Sequence, residues 1–280
     1  MGAGLQLLIL LIFIGSLISA PVDLSAAGCL DCHPAHYQEN GSCVQCHRGF
    51  PGTKRIEIAH YRLLAGRFSS FGFPGSLLVK RGEEQLKDSA CRRCHISGGQ
   101  GNRLATNLDR SLLNSSPEEL IQSLREPVAY MPQFNFNEEQ LVALVNAIFA
   151  GAAKLPPTTE EAPLVVHFTE LTQKVEDPFS KHCGSCHRLL TQKQGGLGKG
   201  DIGPNLSGLF TEHYPLNFGQ GERWTEDNLR NWLKNPRKYR DVTPMPPQIL
   251  SPDEFNQLIS ILMDKVVVRE VDEGGGSAVP

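Results

Sequence analysis

Cys183-Gly184-Ser185-Cys186-His187 is a pentad in which two cysteines stand three residues apart and a histidine follows at once. The pattern occurs three more times, and the four copies use all eight cysteines of the 280-residue chain. The other copies are Cys29-Leu30-Asp31-Cys32-His33, Cys43-Val44-Gln45-Cys46-His47 and Cys91-Arg92-Arg93-Cys94-His95. Two thiols at this spacing lie on one helical turn, so both can attach to the same flat cofactor.

The pentads predict four covalently bound haem c groups. Both thiols of a pentad can form thioethers with the vinyl groups of one haem, and the adjacent imidazole can then bind its iron. Disulfides would need no histidine after each pair, and zinc sites would combine cysteine pairs into shared tetrahedra. The predicted attachment residues are Cys29, Cys32, Cys43, Cys46, Cys91, Cys94, Cys183 and Cys186, and the predicted proximal ligands are His33, His47, His95 and His187.

The charge balance excludes nucleic acid as a partner class. The formal net charge is −3, and no basic stripe runs along the chain that could neutralise phosphates. Aromatic residues make up only 7% of the chain, and a large flat apolar cofactor would compensate for that sparse supply of core side chains.

The first 27 residues predict export. Residues 5–18 form an uncharged apolar run, followed by Pro21 and the small residues Ser25-Ala26-Ala27. The run has the length of a signal-peptide core and is short for a membrane-spanning helix. Because no Lys or Arg precedes it, an uncleaved N-terminal membrane anchor stays open as the alternative. Either way, we expect a periplasmic protein or one anchored in the membrane and facing the periplasm.

The rest of the chain divides by composition. Residues 28–62 are rich in Cys and His and contain too few large apolar residues for a core of their own, so a cofactor must hold them together. Residues 63–77 are interpreted as a linker or docking arm, 152–163 as a linker and 268–280 as a disordered tail.

An internal repeat of element order lies in residues 78–151 and 164–267. Each copy predicts a helix, a pentad, a loop, a capped helix, a Met-Pro pair and a second capped helix. In the first copy we predict a helix from Gly82 into the pentad, one over 118–125 capped by Ser116, and one opened by Asn137. In the second, Thr225 and Ser251 are the predicted caps. The predicted fold class is mainly α.

The two copies resemble class I cytochrome c domains. Gly203-Pro204-Asn205-Leu206 matches the Gly-Pro-x-Leu loop of that family, in which the proline carbonyl accepts a hydrogen bond from the proximal imidazole. The first copy departs from it, with Thr106-Asn107-Leu108 in the corresponding place. The N-terminal segment resembles the bis-His multihaem cytochromes of anaerobic respiration. The resemblance implies two helical domains in tandem after a loop-rich di-haem segment.

The class I resemblance also implies the sixth iron ligands of two haems. In that family a methionine is supplied from a Met-Pro loop before the last helix, and Met131-Pro132 and Met245-Pro246 occupy this position. The chain has two other methionines: Met1 is the start, and Met263 fits the apolar stripe of the final helix and is expected in the core.

His36 and His60 are the candidates for the remaining two sixth positions. His36 follows His33 by three residues and leaves the same helical face, so it is better placed to cap the haem bound by His47. By elimination His60 caps the haem of His33, although the opposite pairing stays open. His182 directly precedes its pentad and cannot cap that haem, and His167 and His213 are interpreted as structural.

These features favour electron transfer between redox partners in an exported respiratory chain. Bis-His ligation lowers and methionine ligation raises a haem potential, so we expect a low-potential pair and a higher-potential pair. Six ligated positions on every iron would favour a carrier over an enzyme. The alternatives are a multihaem reductase or peroxidase with one open iron, or an electron-transfer subunit of a membrane quinol-oxidising or metal- or metalloid-reducing complex.

Overall fold

The computed structural model describes residues 27–128, 130–155 and 177–263. The apolar run at 5–18, His167, most of the predicted linker 152–163 and the tail 268–280 lie outside these residues. Within the described ranges, no helix combines the length and apolar character needed to cross a membrane. Contacts along the chain divide it into two compact units, residues 1–63 and residues 64–280, which are described in turn.

Helices dominate the structure, and the only paired strands in the described residues are two short antiparallel hairpins. The α-helices are α1 (Ala27–Leu30), α2 (Cys43–His47), α3 (Ile56–Ala59), α4 (Leu77–Asp88), α5 (Ser111–Asn114), α6 (Pro117–Arg125), α7 (Glu138–Ala153), α8 (Pro178–His182), α9 (Glu226–Lys234) and α10 (Pro252–Leu262). Single 3₁₀ turns span Gln38–Asn40, Gly66–Phe68, Ser70–Gly72, Cys91–Arg93, Leu108–Arg110 and Pro236–Lys238. The strands are β1 (Ile96–Ser97), β2 (Gln100–Gly101), β3 (Leu189–Thr191) and β4 (Gly195–Leu197).

The part of the first unit that the structure describes has no core of buried side chains. It contains α1, α2 and α3, and none of residues 28–63 is buried. Large apolar side chains such as Phe50, Ile56 and Tyr61 are more than half exposed. Because ordering each residue costs on the order of 1–2 kcal/mol of backbone entropy, this fold needs a stabilising partner other than its own side chains.

Residues 64–155 form a helical half around α7, which we call the first helical half. Capping boxes at Ser116 and Asn137 start α6 and α7, as the sequence predicted. Leu141, Leu144, Val145 and Ile148, which recur at helical spacing in α7, are buried in one cluster with Leu86 of α4 and Ile121 of α6. The helix before the pentad is displaced from the prediction: it starts at Leu77, capped by Ser76, and ends at Asp88.

The segment 63–77 is largely part of this half and differs from the expected linker or arm. Phe68 is fully buried, and Phe71 packs edge-on against Phe149 with ring centroids 5.8 Å apart. The side chain of Asn146, itself fully buried, accepts a hydrogen bond from the Phe71 amide and donates to the Arg67 carbonyl. The composition of the segment indicated a flexible linker. It could not indicate that Asn146, a residue of α7, forms hydrogen bonds with the backbone of this segment.

Residues 177–263 form the second helical half, with a separate cluster of buried residues. Asp177, Thr225 and Ser251 cap α8, α9 and α10, the last with a full capping box. The apolar stripe of α10 is buried and consists of Phe255, Leu258, Ile259 and Leu262. Met263 differs from its prediction as a core residue, because it follows the last helical residue and is 40% exposed.

A hairpin follows the pentad in each half, where the sequence analysis predicted only a loop. The strands β1 and β2 pair across Gly98 and Gly99, which both have positive φ. The strands β3 and β4 pair Leu189 with Leu197. Gly-Gly between two short extended segments is a known hairpin signal, so the first hairpin could have been found in the sequence.

Replacing Gly82 by alanine should destabilise the first helical half. A Cβ on Gly82 in α4 would lie 2.0 Å from the Ala143 carbonyl oxygen and 2.7 Å from the Ala147 Cβ of α7. The helices would have to separate, and such overpacking costs about 1–3 kcal/mol. Thermal or denaturant unfolding measures the loss. Gly66→Ala is the matched control, since no atom lies within 4 Å of its added Cβ, and an equal effect of both changes would contradict the prediction.

Candidate haem-binding sites

Each pentad forms one helical turn, which brings its two thiols and its histidine together. The histidine amide donates to the carbonyl of the first cysteine at 2.9 Å for His33, 3.0 Å for His95 and 2.9 Å for His187. The remaining pentad, Cys43–His47, is helix α2 itself, and a capping box at Ser42 starts it. All eight cysteines are free thiols, so every pentad has the two sulfurs that thioether attachment needs.

The second helical half encloses a cavity of about 440 Å³. Its wall includes Cys183, Cys186 and His187 from the pentad, and also Met245 from the loop before α10. The size lies within the range of about 300–1,000 Å³ that is usual for cofactor pockets. Apolar and aromatic side chains make up much of the remaining wall, among them Phe179, Leu209, Tyr214, Trp224, Trp232 and Leu258.

The His187 ring is fixed by a single hydrogen bond. Its Nδ1 lies 2.7 Å from the carbonyl oxygen of Pro204. A carbonyl can only accept, so Nδ1 carries the proton and Nε2 keeps a lone pair for a metal. Gly203 gives the ring its space, because a Cβ there would lie 2.2 Å from the His187 Cε1. Gly203 therefore leaves space for the imidazole ring, and the Pro204 carbonyl fixes its tautomer.

Met245 presents a thioether to the same cavity. Its sulfur accepts a hydrogen bond from the Trp232 indole at 3.0 Å, and its amide donates to the Thr243 hydroxyl at 3.4 Å. Trp232 is 7% exposed and lies on α9, so a capped helix holds the side chain that orients the sulfur. The sequence analysis did not identify Trp232 as part of a site.

The first helical half repeats the histidine arrangement with a different loop. The Nδ1 of His95 lies 2.7 Å from the Thr106 carbonyl, so Thr106 takes the place of a proline. A backbone carbonyl is available from any residue, which is why the departure in sequence leaves the geometry unchanged. Burial lowers the pKa of His95, which favours the neutral imidazole that a metal requires. Met131 is partly buried and packs against the same apolar cluster as Cys91.

In the first unit the four histidines of the sequence analysis form two pairs. His33 and His60 have ring centroids 6.0 Å apart, and His36 and His47 have centroids 5.6 Å apart. A metal–imidazole nitrogen bond is about 2 Å, so two rings on opposite sides of one iron have centres roughly 6 Å apart. These are the pairs that the helix-face argument favoured, across 27 residues of sequence in the case of His33 and His60.

His182 and His213, which the sequence analysis did not assign as ligands, have other contacts. His182 lies 3.0 Å from the Glu254 carboxylate, which also pairs with Lys181. The His213 ring lies 3.7 Å from the Glu212 carboxylate. Neither of these histidines lies in a ring pair with another described histidine.

The donor sets and their surroundings fit haem. Each pentad supplies two sulfurs and one imidazole, and residues 28–63 contain no buried side chain, so a haem pair would supply the core that they lack. Burial raises the pKa of the Cys91 and Cys183 thiols to about 11, so both are neutral at pH 7 and suit an apolar wall. Among the described residues, no three His, Cys, Asp or Glu side chains converge on a site for a free metal ion.

Comparisons with known proteins agree with this chemistry. Residues 78–146 match the family described as cytochrome c oxidase, cbb3-type, subunit III, and residues 173–264 match the cytochrome c family. Cytochrome c of Stellaria longipes is 37% identical over 97 residues, which cover 31% of this chain and 84% of the relative. Cytochrome c of Arabidopsis thaliana is 32% identical over 98 residues, covering 31% and 82%. Cytochrome c2 of Rhodospirillum rubrum is 38% identical over 75 residues, covering 22% and 62%. No solved structure matches.

Proposed function

We propose that this chain, which belongs to the cytochrome c family, is a tetrahaem electron carrier of an exported respiratory chain. Its cytochrome c domains bind covalent haem c and transfer electrons. The observation that carries the finer proposal is that each of the four pentads has a second candidate ligand in the same unit. A haem held this way supplies a one-electron couple without an open iron position.

The chain's own residues divide the work at each site. The cysteines would hold the cofactor covalently, while the Thr106 and Pro204 carbonyls orient His95 and His187. Met131 and Met245 are the proposed thioether ligands, and the Trp232 indole holds the Met245 sulfur. Much of the wall of the 440 Å³ cavity is apolar, so a haem bound there would face few polar groups that must reorient when its charge changes.

In residues 28–63 the proposed ligand pairs are His33 with His60 and His36 with His47. Their ring distances of 6.0 and 5.6 Å support one iron per pair. The absence of buried side chains among residues 28–63 supports a structural role for the two haems as well. We therefore propose a low-potential bis-His pair and a higher-potential His/Met pair in one chain.

A second function is favoured by the match of residues 78–146 to a subunit of a cbb3-type oxidase. The chain would then be the electron-transfer subunit of a membrane complex, attached through the apolar run at 5–18. Purification from native membranes separates the two functions: a complex that co-elutes after detergent extraction favours the subunit, and a protein released with the soluble periplasm favours the free carrier.

The haem count tests the main proposal. Pyridine haemochrome quantification of the purified protein should give four haem c per chain, and resting-state EPR should show bis-His and His/Met signals without a high-spin signal. Replacing both cysteines of one pentad, for example Cys43→Ala with Cys46→Ala, should remove one haem. A count of two, both with methionine ligation, would contradict the proposal for residues 28–63.

A further inference from the structure

The loop of residues 203–211 contacts both helical halves. On one side, Pro204 accepts the hydrogen bond from His187. On the other, the Asn205 carbonyl accepts from the Arg93 guanidinium at 3.0 Å, and Thr211 accepts from the Asn102 amide at 2.9 Å. The loop that orients one proximal ligand is thus joined to the pentad of the other half.

Asn205 also reaches the loop that carries Met131. Its Nδ2 donates to the Tyr130 carbonyl at 2.8 Å, while its Oδ1 accepts from the Ser207 amide at 2.9 Å. This pattern fixes which way the side-chain amide points. A flipped amide would set two donors against each other at Ser207 and two acceptors at Tyr130.

Tyr130 needs this support because its backbone is disfavoured. It has φ of 69°, in the left-handed region that residues with a bulky side chain rarely adopt. Its ring lies against Gly196 of β4, where an added Cβ would lie 2.0 Å from the tyrosine Cε2. Both the carbonyl and the ring of Tyr130 are therefore anchored by the second helical half, and Met131 is the next residue.

We propose that Asn205 is a positioning residue for two redox sites at once: it fixes the loop that orients His187 and the loop that presents Met131. The proposal rests on the proposed function, since it requires a haem at each of these two sites. Its consequence is specific: methionine ligation in the first helical half depends on a side chain of the second. The two haem sites are then coupled, and a substitution of Asn205 alters the ligation of iron by Met131.

The test uses the full haem-loaded chain with Asn205→Asp. The carboxylate keeps an acceptor for the Ser207 amide but has no donor for the Tyr130 carbonyl. The readout is the methionine-to-iron charge-transfer absorption of the ferric protein, calibrated with Met131→His and Met245→His. We expect Asn205→Asp to lower the absorption to the level of Met131→His. Gly196→Ala should have the same effect, because the three atoms nearest to its added Cβ all belong to the Tyr130 ring.

Asn102→Asp is the matched control. It removes the donors to Thr211 and to the Arg93 carbonyl at the same junction but leaves the bonds of Asn205 to Tyr130 and Ser207 in place, so the absorption should stay at the wild-type level. Full absorption in Asn205→Asp, or an equal loss in Asn102→Asp, would overturn the proposal. Haemochrome counts are taken on every variant: a wild-type chain without haem in these two sites would refute the proposed function instead.

Discussion

Replacing Met245 by alanine is expected to open the sixth iron position of the second helical half and to lower the potential of that haem. The thioether sulfur lines the same cavity as His187 and is held by the Trp232 indole. The alanine variant leaves only the imidazole as a protein ligand. Axial ligands set haem potentials over a span of about 0.8 V, and we expect this loss to move the potential by a sizeable part of that span.

The measurement is a spectroelectrochemical titration with ferric EPR of wild type and variant. A new high-spin signal, faster binding of added imidazole and a lowered potential of one haem should appear together. Met263→Ala is the matched control, because Met263 is 40% exposed at the end of α10 and does not line the cavity. An unchanged potential in Met245→Ala, with haem content intact, would show that another group ligates this iron.

The helices were predictable from sequence because their ends carry local signals. Ser116, Asn137 and Ser251 each begin a capping box, in which the cap and the third helical residue satisfy each other's amides. Such signals depend on four consecutive residues and need no tertiary contact. The helix before the Cys91 pentad was predicted less well, since Gly82, the predicted start, lies inside the helix at a point of close contact with α7.

The candidate sites were predictable to the extent that their residues are close in sequence. The pentads are single turns, so two sulfurs and an imidazole follow from the spacing alone. The Thr106 carbonyl acceptor was not predicted, because the first copy lacks the Gly-Pro-x-Leu loop that indicated the Pro204 acceptor in the second. Asn205 is more than 70 residues away in sequence from Arg93 and from Tyr130, which it contacts. No local sequence pattern predicts contacts over such a separation.

Replacing His60 or His36 by alanine is expected to open one iron each in the unit of residues 28–63. The ring pairs place His60 with His33 and His36 with His47. Removing one imidazole leaves five-coordinate iron, which gives a high-spin EPR signal and binds added ligands. His213→Ala is the control, because His213 contacts Glu212 outside these pairs and its loss should leave all the haem signals unchanged.

A second background decides which histidine serves which haem. In a chain with Cys29→Ala and Cys32→Ala, the haem of His33 should be missing, so the further change His60→Ala should open no additional iron. His36→Ala in the same background should still produce a high-spin signal, since its partner His47 keeps its own pentad. The opposite pairing would exchange the two outcomes. In that case His33 and His60 would lie close together, with ring centroids 6.0 Å apart, without binding the same iron.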